Sequence, residues 1–363
     1  MSTTRRHFLM QAAWGAGSLL LPSRMLASSQ QEKKLGVALV GLGNYSTHQL
    51  GPALRQTQHC YLAGIVTGTP EKERRWMQEY GIPKKNVYTY QTFDQIADNP
   101  DIDIVYVVLP NFMHAEYSIR AAQAGKHVIC EKPLAMNVAE ADRMIQACQD
   151  HHVLLSVGYR LYFEPHHRAL QRLAQEQAFG PLKVVETSFG FPRPDSSSWR
   201  LDKKIGGGGA IMDLGVYAIQ GARRTVGQDP VSVTAQAFTF DKEHFVDIYE
   251  TVFWQFEFPG GVVSQSSTTY SSYVDRLYVA GEGGWGRLEP AFNATGAGGK
   301  THEGPLSLAS PEYQQVAQMD EFAQSIRQQT TPLASGQEGR KDLVLIEAIL
   351  RAAETGKKVP IVY

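Results

Sequence analysis

The sequence predicts an α/β protein, with a doubly wound parallel sheet in its N-terminal part and a β-rich second domain. Short apolar runs alternate with helix-like segments between residues 35 and 157, which is typical of strand–helix–strand units and a parallel sheet. Alternating apolar and polar residues then recur in β-rich runs between residues 182 and 280. The predicted parts of the chain are therefore residues 1–33, 34–157 and 158–363.

The composition is that of a globular protein with little net charge. Of the 363 residues, 43% are hydrophobic, and 35 Lys and Arg are balanced by 36 Asp and Glu. This apolar share is sufficient for a packed core and excludes a largely disordered chain. A near-neutral chain has no field that attracts nucleic acid, so we expect no nucleic-acid partner. Cys60, Cys130 and Cys148 are too few and too scattered for a disulfide framework or a zinc site, and no metal is expected.

The first thirty residues have the pattern of an export signal. Arg5-Arg6 precede an apolar stretch, Ala12–Leu21, that is about half the roughly 20 residues needed to span a membrane. The paired arginines resemble twin-arginine signals, which carry folded proteins across the bacterial inner membrane. We therefore expect a periplasmic protein that uses the twin-arginine export machinery. A Sec-type signal, an uncleaved anchor and a chance arginine pair at a cytoplasmic N-terminus are the alternatives.

The first strand and the turn after it indicate a dinucleotide site. The continuous apolar run Leu35–Val40 predicts a strand covered on both faces, and it leads into Gly41-Leu42-Gly43-Asn44-Tyr45-Ser46. In this G-x-G-x-x-S pattern Gly41 permits a tight turn and Gly43 lets the backbone approach a pyrophosphate at a helix N-terminus. Further apolar runs predict the strands Tyr61–Val66, Ile104–Leu109, His127–Cys130 and Val153–Val157. The segments between them predict the helices Glu71–Tyr80, Met113–Ala124 and Val138–His151.

The end of the second strand favours NADP over NAD. An NAD enzyme usually has an acidic residue there to bind the ribose hydroxyls. Here the strand leads into Thr67-Gly68-Thr69, followed by Lys72 and the pair Arg74-Arg75. A small hydroxyl residue and nearby cations can hold a 2′-phosphate. The alternative is that these cations form a solvated helix face.

Two later motifs carry candidate catalytic residues. Glu131-Lys132-Pro133 follows the strand His127–Cys130, so Lys132 lies at the edge of the sheet where such folds bind ligands, and the bond to Pro133 could be cis. The glycine run 206–209 precedes Asp213 and Tyr217, which are four residues apart and share one face of a helix.

These motifs resemble the Gfo/Idh/MocA oxidoreductase family, and in particular its glucose–fructose oxidoreductase branch. The resemblance also includes Leu109-Pro110-Asn111 with His114, Gly158-Tyr159-Arg160, Trp199-Arg200 and Gly336-Gln337-Glu338-Gly339. Three positions depart from the common pattern: Ser46 replaces the third glycine, Tyr217 stands where many members have histidine, and Gln220 where they have aspartate.

The resemblance implies that the second domain has a large, mainly antiparallel open sheet, through which the chain forms a homodimer or homotetramer. The β-rich runs agree with such a sheet, at Leu182–Phe189, Val231–Phe238, Ile248–Phe256, Gly261–Thr269 and Arg276–Ala280. A C-terminal helix, Gly339 to Thr355, is expected to pack back near the domain junction.

The resemblance and the chemistry of the side chains suggest roles for the site residues. Tyr217 would transfer the proton, Lys132 would favour its phenolate and bind the substrate oxygen, and Asp213 would position the sugar or the lysine. Weaker candidates for substrate binding are Arg160, Tyr270 and His114. The residues expected to contact the cofactor are Gly41, Leu42, Gly43, Asn44, Tyr45, Thr67, Gly68, Lys72, Pro110, Asn111, Glu131, Lys132, Trp199 and Arg200.

The predicted reaction is hydride transfer from C1 of an aldose, which gives a lactone, to NADP. Because an exported enzyme finds no free NADP, the cofactor is expected to be tightly bound and to pass the hydride to a second sugar or carbonyl acceptor. Sugar specificity is expected to lie in loops 192–198 and 291–304. The alternatives are an exported glycoside hydrolase that oxidises its substrate transiently with NAD, and a non-catalytic dinucleotide-binding sensor.

Overall fold

The computed structural model describes residues 33–192 and 198–363, and residues 34–363 form one compact unit. The predicted N-terminal leader, residues 1–33, lies outside the described residues apart from Lys33. In the described ranges, no helix combines the length and the apolar character needed to cross a membrane.

The first sheet is parallel and has six strands within the described residues, in the order β3-β2-β1-β4-β5-β6. Its strands are β1 (Leu35–Val40), β2 (Cys60–Val66), β3 (Val87–Tyr88), β4 (Ile104–Val107), β5 (His127–Cys130) and β6 (Leu155–Val157). This order confirms the predicted doubly wound sheet. The chain builds the sheet outward in one direction from β1 to β3 and in the other direction from β4 to β6, so the switch point lies between β1 and β4. Ligands bind in the crevice beyond the carboxyl ends of the strands at such a point.

Four α-helices cover the two faces of this sheet in the described part of the chain. They are α1 (Gly51–Gln56), α2 (Pro70–Tyr80), α3 (His114–Gln123) and α4 (Val138–Asp150). The last three match the predicted helices within one residue at each end. The start of α4 is capped by the Asn137 side chain, which accepts the backbone N–H of Glu140. A π-helical turn, Ser46–Leu50, leads into α1.

The second sheet has nine described strands, in the order β14-β13-β12-β11-β7-β10-β9-β8-β15. It is mainly antiparallel, as expected, but β7 and β10 pair in parallel at its centre. The strands are β7 (Leu182–Gly190), β8 (Ser232–Phe238), β9 (Thr251–Glu257), β10 (Val263–Thr269), β11 (Val274–Gly281), β12 (Gly284–Leu288), β13 (Gly299–Thr301), β14 (Gly304–Pro305) and β15 (Val359–Pro360).

The remaining helices cover this sheet or return to the first one. They are α5 (Pro165–Gln175), α6 (Lys203–Gly206), α7 (Val216–Val226), α8 (Gln315–Gln328) and α9 (Gly336–Thr355). Helix α7 packs on β7, and α9 contacts α4 and β6 near the junction, where the C-terminal helix is expected. Helix α8, for which the sequence shows no clear signal, packs on α1 and β2 of the first sheet. The chain therefore crosses back over the predicted boundary between residues 157 and 158.

Candidate active site

The glycine turn after β1 forms one end of a cavity. Gly41 has a φ of +94°, and a Cβ atom there would lie 2.4 Å from the Val108 carbonyl oxygen, so only glycine fits. At Gly43, by contrast, the nearest described atom is more than 4 Å from the place of a Cβ, and that empty space opens into the cavity. A ligand can therefore approach the backbone at Gly43, as a pyrophosphate requires.

Ser46 replaces the third glycine of the motif without disturbing the turn. Its side chain is fully buried, and its hydroxyl donates a hydrogen bond of 2.6 Å to the carbonyl oxygen of Gly41. This hydrogen bond connects the first residue of the π-helical turn, Ser46–Leu50, to the start of the glycine turn. The dinucleotide turn is therefore intact despite the substitution, and the residues present fit a bound dinucleotide.

The predicted catalytic residues converge at the other end of the cavity. Lys132 follows β5, and its ammonium donates to the backbone oxygen of Asp213 at 2.7 Å and to Oδ1 at 3.1 Å. The same ammonium lies 4.7 Å from the centre of the Tyr217 ring. Asp213 lies in a π-helical turn, Ile211–Gly215, and Tyr217 in the first turn of α7. The expected shared face is thus observed, although the segment is not a regular α-helix.

Asp213 is held by partners on both of its carboxylate oxygens. Lys132 and Arg200 approach Oδ1, the latter through Nε at 3.2 Å, and the Tyr270 hydroxyl donates to Oδ2 at 3.0 Å. A carboxylate held in this way fixes the position of the Lys132 ammonium. Among the roles considered for Asp213, the geometry therefore favours orientation of the lysine.

Two cations face the ring of Tyr217. Besides Lys132, the guanidinium carbon of Arg160 lies 5.0 Å from the ring centre. Arg160 is itself buried and donates to the backbone oxygens of Phe292 and Asn293 and to Oε1 of Gln314. The guanidinium of Arg160 therefore holds this loop and Gln314 in place, and it makes a cation–π contact with the face of the Tyr217 ring.

The cavity between these two ends has a volume of about 480 Å³. Residues of both domains line it: Gly41, Leu42, Gly43, Asn44, Tyr45, Lys72, Tyr90, Val108, Leu109, Pro110, Asn111, Glu131, Lys132, Trp199, Arg200, Gly206, Gly209, Asp213 and Tyr217. Asn111 links the two walls, since its Nδ2 donates to the carbonyl oxygen of Gly206 at 2.8 Å. All the predicted cofactor contacts lie on this wall except Thr67 and Gly68.

Five predicted residues are placed behind the wall. The Thr67 hydroxyl accepts the N–H of Thr69 and closes the turn after β2, while Gly68 packs against Tyr90. His114 is only 1% exposed, and its two ring nitrogens each lie 2.8 Å from a backbone oxygen, of Leu109 and of Pro133. Arg160 and Tyr270 touch catalytic side chains as described above. The geometry therefore gives these residues roles in supporting the site, rather than direct contact with a ligand.

Several wall and support residues carry no recognisable sequence motif. Tyr90 follows β3, a strand of two residues that is too short to show a period. Tyr106 lies inside β4, and its hydroxyl donates to Oε1 of Glu131 at 2.7 Å. Burial raises the pKa of Glu131, although the Tyr106 hydroxyl and the Lys132 ammonium oppose the shift. Position at the end of a strand is the one signal that could have identified Tyr90.

Loop 192–198 was expected to contribute to sugar specificity, and residues 193–197 lie outside the described ranges. The other loop, 291–304, begins at a tightly held turn. Asp275 accepts the backbone N–H groups of Ala291, Phe292 and Asn293, and this turn supplies the oxygens that hold Arg160. In the described ranges, no group of three or more His, Cys, Asp or Glu is arranged to hold a metal ion.

A dinucleotide turn at one end of the cavity, and a lysine, a carboxylate and a tyrosine at the other, define a nicotinamide-dependent oxidoreductase. The chain belongs to the Gfo/Idh/MocA oxidoreductase family. Residues 35–159 match the family model described as an oxidoreductase family with an NAD-binding Rossmann fold, and residues 167–287 match the model of the GFO/IDH/MocA C-terminal domain. The predictions of an oxidoreductase and of this family are confirmed.

Three known proteins show how far the similarity extends. The D-xylose 1-dehydrogenase [NADP(+)] of Haloarcula marismortui is 31% identical over 89% of this chain and 92% of its own length. The D-xylose 1-dehydrogenase (NADP(+)) 2 of Haloferax volcanii is 27% identical over 88% of this chain and 98% of its own. The crystal structure of aldose-aldose oxidoreductase from Caulobacter crescentus, complexed with glycerol, is 39% identical, with a TM-score of 0.88 over 91% of this chain and 100% of its own.

Proposed function

We propose that this chain is an NADP-dependent sugar oxidoreductase that oxidises an aldose at C1 to the lactone and passes the hydride to a second sugar or carbonyl compound. The convergence of Lys132, Asp213 and Tyr217 at the inner end of a dinucleotide cavity carries this proposal. The 39% identity with an aldose-aldose oxidoreductase supports two sugars as the substrates.

The chain's own residues would move the proton and hold the substrate. The bound nicotinamide would supply the hydride acceptor. As its phenolate, Tyr217 would take the proton of the C1 hydroxyl in the oxidative half-reaction, and the phenol so formed would return it to the carbonyl oxygen of the acceptor in the reductive one. The Lys132 ammonium and the Arg160 guanidinium face the ring of Tyr217 and hold it in position.

Lys132 would orient the reacting oxygen. Its ammonium is anchored on Asp213, which is in turn held by Arg200 and Tyr270. An ammonium group has three N–H donors, and two of these bonds point to Asp213, so the third is available to a substrate oxygen in the cavity. Holding that oxygen beside the phenol would create the geometry that proton transfer needs.

NADP as the cofactor is supported by the cavity wall and by the relatives. Lys72 and Tyr90 line the cavity beyond the glycine turn, where a cation can bind a 2′-phosphate and a ring can stack on a base. Both D-xylose dehydrogenase relatives are named for NADP. The N-terminal arginine pair supports export of the folded, cofactor-loaded protein by the twin-arginine machinery.

The proposal is tested on the purified protein without added cofactor. Spectrophotometry should show that one of a panel of aldoses reduces the bound nicotinamide, and that a second sugar then reoxidises it with release of an alditol. A matched assay follows the cleavage of p-nitrophenyl glycosides. Glycoside cleavage without net reduction of the cofactor by any aldose would refute the proposal in favour of a hydrolase.

The role of Lys72 gives a separate prediction. Lys72→Ala should weaken NADP binding by roughly tenfold to a hundredfold, because a charge-assisted bond contributes about 1.5–3 kcal/mol, and should leave NAD binding unchanged. Titration of the cofactor-free protein with each dinucleotide measures this difference. Arg74→Ala is the matched control, since Arg74 is exposed on the same helix. Equal losses for NADP and NAD would show that Lys72 does not recognise the 2′-phosphate.

A further inference from the structure

The start of α8 carries three buried glutamines that the proposed chemistry does not use. Gln314, Gln315 and Gln318 are each only 1% exposed, although glutamine side chains are usually solvated. We call these three residues the glutamine turn. Each of its side chains bonds to a different part of the active site.

Gln315 holds the glycine turn at the dinucleotide end. Its Nε2 donates to the hydroxyl of Tyr45 at 2.8 Å, and Tyr45 lines the cavity two residues after Gly43. Burial and the nearby Glu131 carboxylate raise the pKa of Tyr45 well above its ordinary value, so the hydroxyl stays neutral.

Gln314 holds Arg160, which supports Tyr217. Its Oε1 accepts a bond of 2.6 Å from Arg160, which also binds the loop at Phe292 and Asn293 and faces the Tyr217 ring. The Nε2 of Gln318 donates to the Tyr106 hydroxyl at 2.8 Å, and Tyr106 donates on to Glu131, which lines the cavity. One helix turn thus bonds to Tyr45 of the glycine turn and to two residues that support Tyr217 and Glu131 from behind.

The rest of α8 is anchored on the first sheet domain. Both carboxylate oxygens of Asp320 accept backbone N–H groups at Gln58 and His59, and Cys60 bonds to the backbone oxygen of Met319. The helix is therefore fixed to the dinucleotide domain, while Gln314 accepts a hydrogen bond from Arg160, which is bound to the second domain through Phe292 and Asn293.

We propose that the glutamine turn is a latch that holds the two domains together around the cavity and slows the release of the dinucleotide. This inference rests on the proposed function, in which the cofactor stays bound between the two half-reactions. The cavity wall comes from both domains, so a bound dinucleotide loses its contacts when the walls separate or the glycine turn moves. The first movement breaks the bond between Gln314 and Arg160, and the second breaks the bond between Gln315 and Tyr45.

The test measures the release of labelled NADP from the loaded protein into excess unlabelled NADP. Gln315→Leu and Gln314→Leu should each release NADP about tenfold faster, the effect of losing one buried hydrogen bond. Gln314→Glu should restore slow release, because a carboxylate still accepts from Arg160. Combining Tyr45→Phe with Gln315→Leu should add nothing to either change alone, because both remove the same bond.

Gln324→Leu is the matched control, since Gln324 lies on the same helix and bonds to His59 away from the cavity. Release at the wild-type rate in both leucine variants, or equally fast release in Gln324→Leu, would overturn the latch while leaving aldose oxidation intact. Faster release in the leucine variants of a protein that oxidises no aldose would overturn the proposed function and leave the latch standing.

Discussion

Replacing Tyr217 with phenylalanine should slow reduction of the bound cofactor by an aldose about 10³-fold, within the range for loss of a general acid–base group. The change removes a single oxygen atom, and the ring keeps its contacts with Phe189 and the two cations. Cofactor content should therefore stay at the wild-type level. Single-turnover spectrophotometry of the resident cofactor measures the rate, and mass spectrometry of the native protein measures the content.

Tyr270→Phe is the control for this experiment. It removes the hydroxyl that donates to Asp213 but no group that would accept a proton, so the expected loss is about tenfold, that of one hydrogen bond. If the two variants lose rate equally, or if Tyr217→Phe keeps the wild-type rate, Tyr217 is not the proton acceptor.

The second large effect is expected for Lys132→Met, which should reduce the rate about 10³-fold or more. Methionine keeps the length of the side chain but removes the ammonium that faces the Tyr217 ring and bonds to Asp213. The loss should appear in single-turnover rates with the cofactor still bound, because the glycine turn and Lys72 of the cavity wall are unchanged.

A small primary amine added to the Lys132→Met protein should restore part of the rate by supplying the missing ammonium. Lys126→Met is the matched control, since Lys126 lies just before the other end of β5 and donates to the backbone oxygen of Asn99. The control should keep the wild-type rate. A Lys132→Met enzyme with normal turnover would remove this residue from the mechanism.

The main elements of both sheets could be predicted because their signals are local. Buried parallel strands are continuous apolar runs, and half-buried strands alternate, so β1, β2 and β4–β11 were recognisable. Strand β3 has two residues and β13–β15 have two or three, which is too short for a period to show. Helix α8 begins with buried glutamines, which a pattern of apolar residues cannot reveal.

The positions of the proposed catalytic side chains could also be predicted, because each stands in a motif whose geometry is local. Lys132 directly follows a strand, and Asp213 and Tyr217 are one helical turn apart after a glycine run. The same reasoning did not show that His114 and Arg160 are buried and bonded to backbone oxygens. Their orientation depends on carbonyl oxygens of Leu109 and Pro133 in one case, and of Phe292 and Asn293 in the other.

Local patterns in the sequence were sufficient to predict the two-sheet architecture, the dinucleotide turn and the positions of the three proposed catalytic side chains, because backbone sterics and side-chain periodicity act within a few residues. Only the tertiary structure decided how these parts are held together. Gln315 bonds to Tyr45 across 270 residues, and Gln318 to Tyr106 across 212. Such bonds form because burial makes an unpaired polar group costly, and which groups are buried together depends on how the two domains pack.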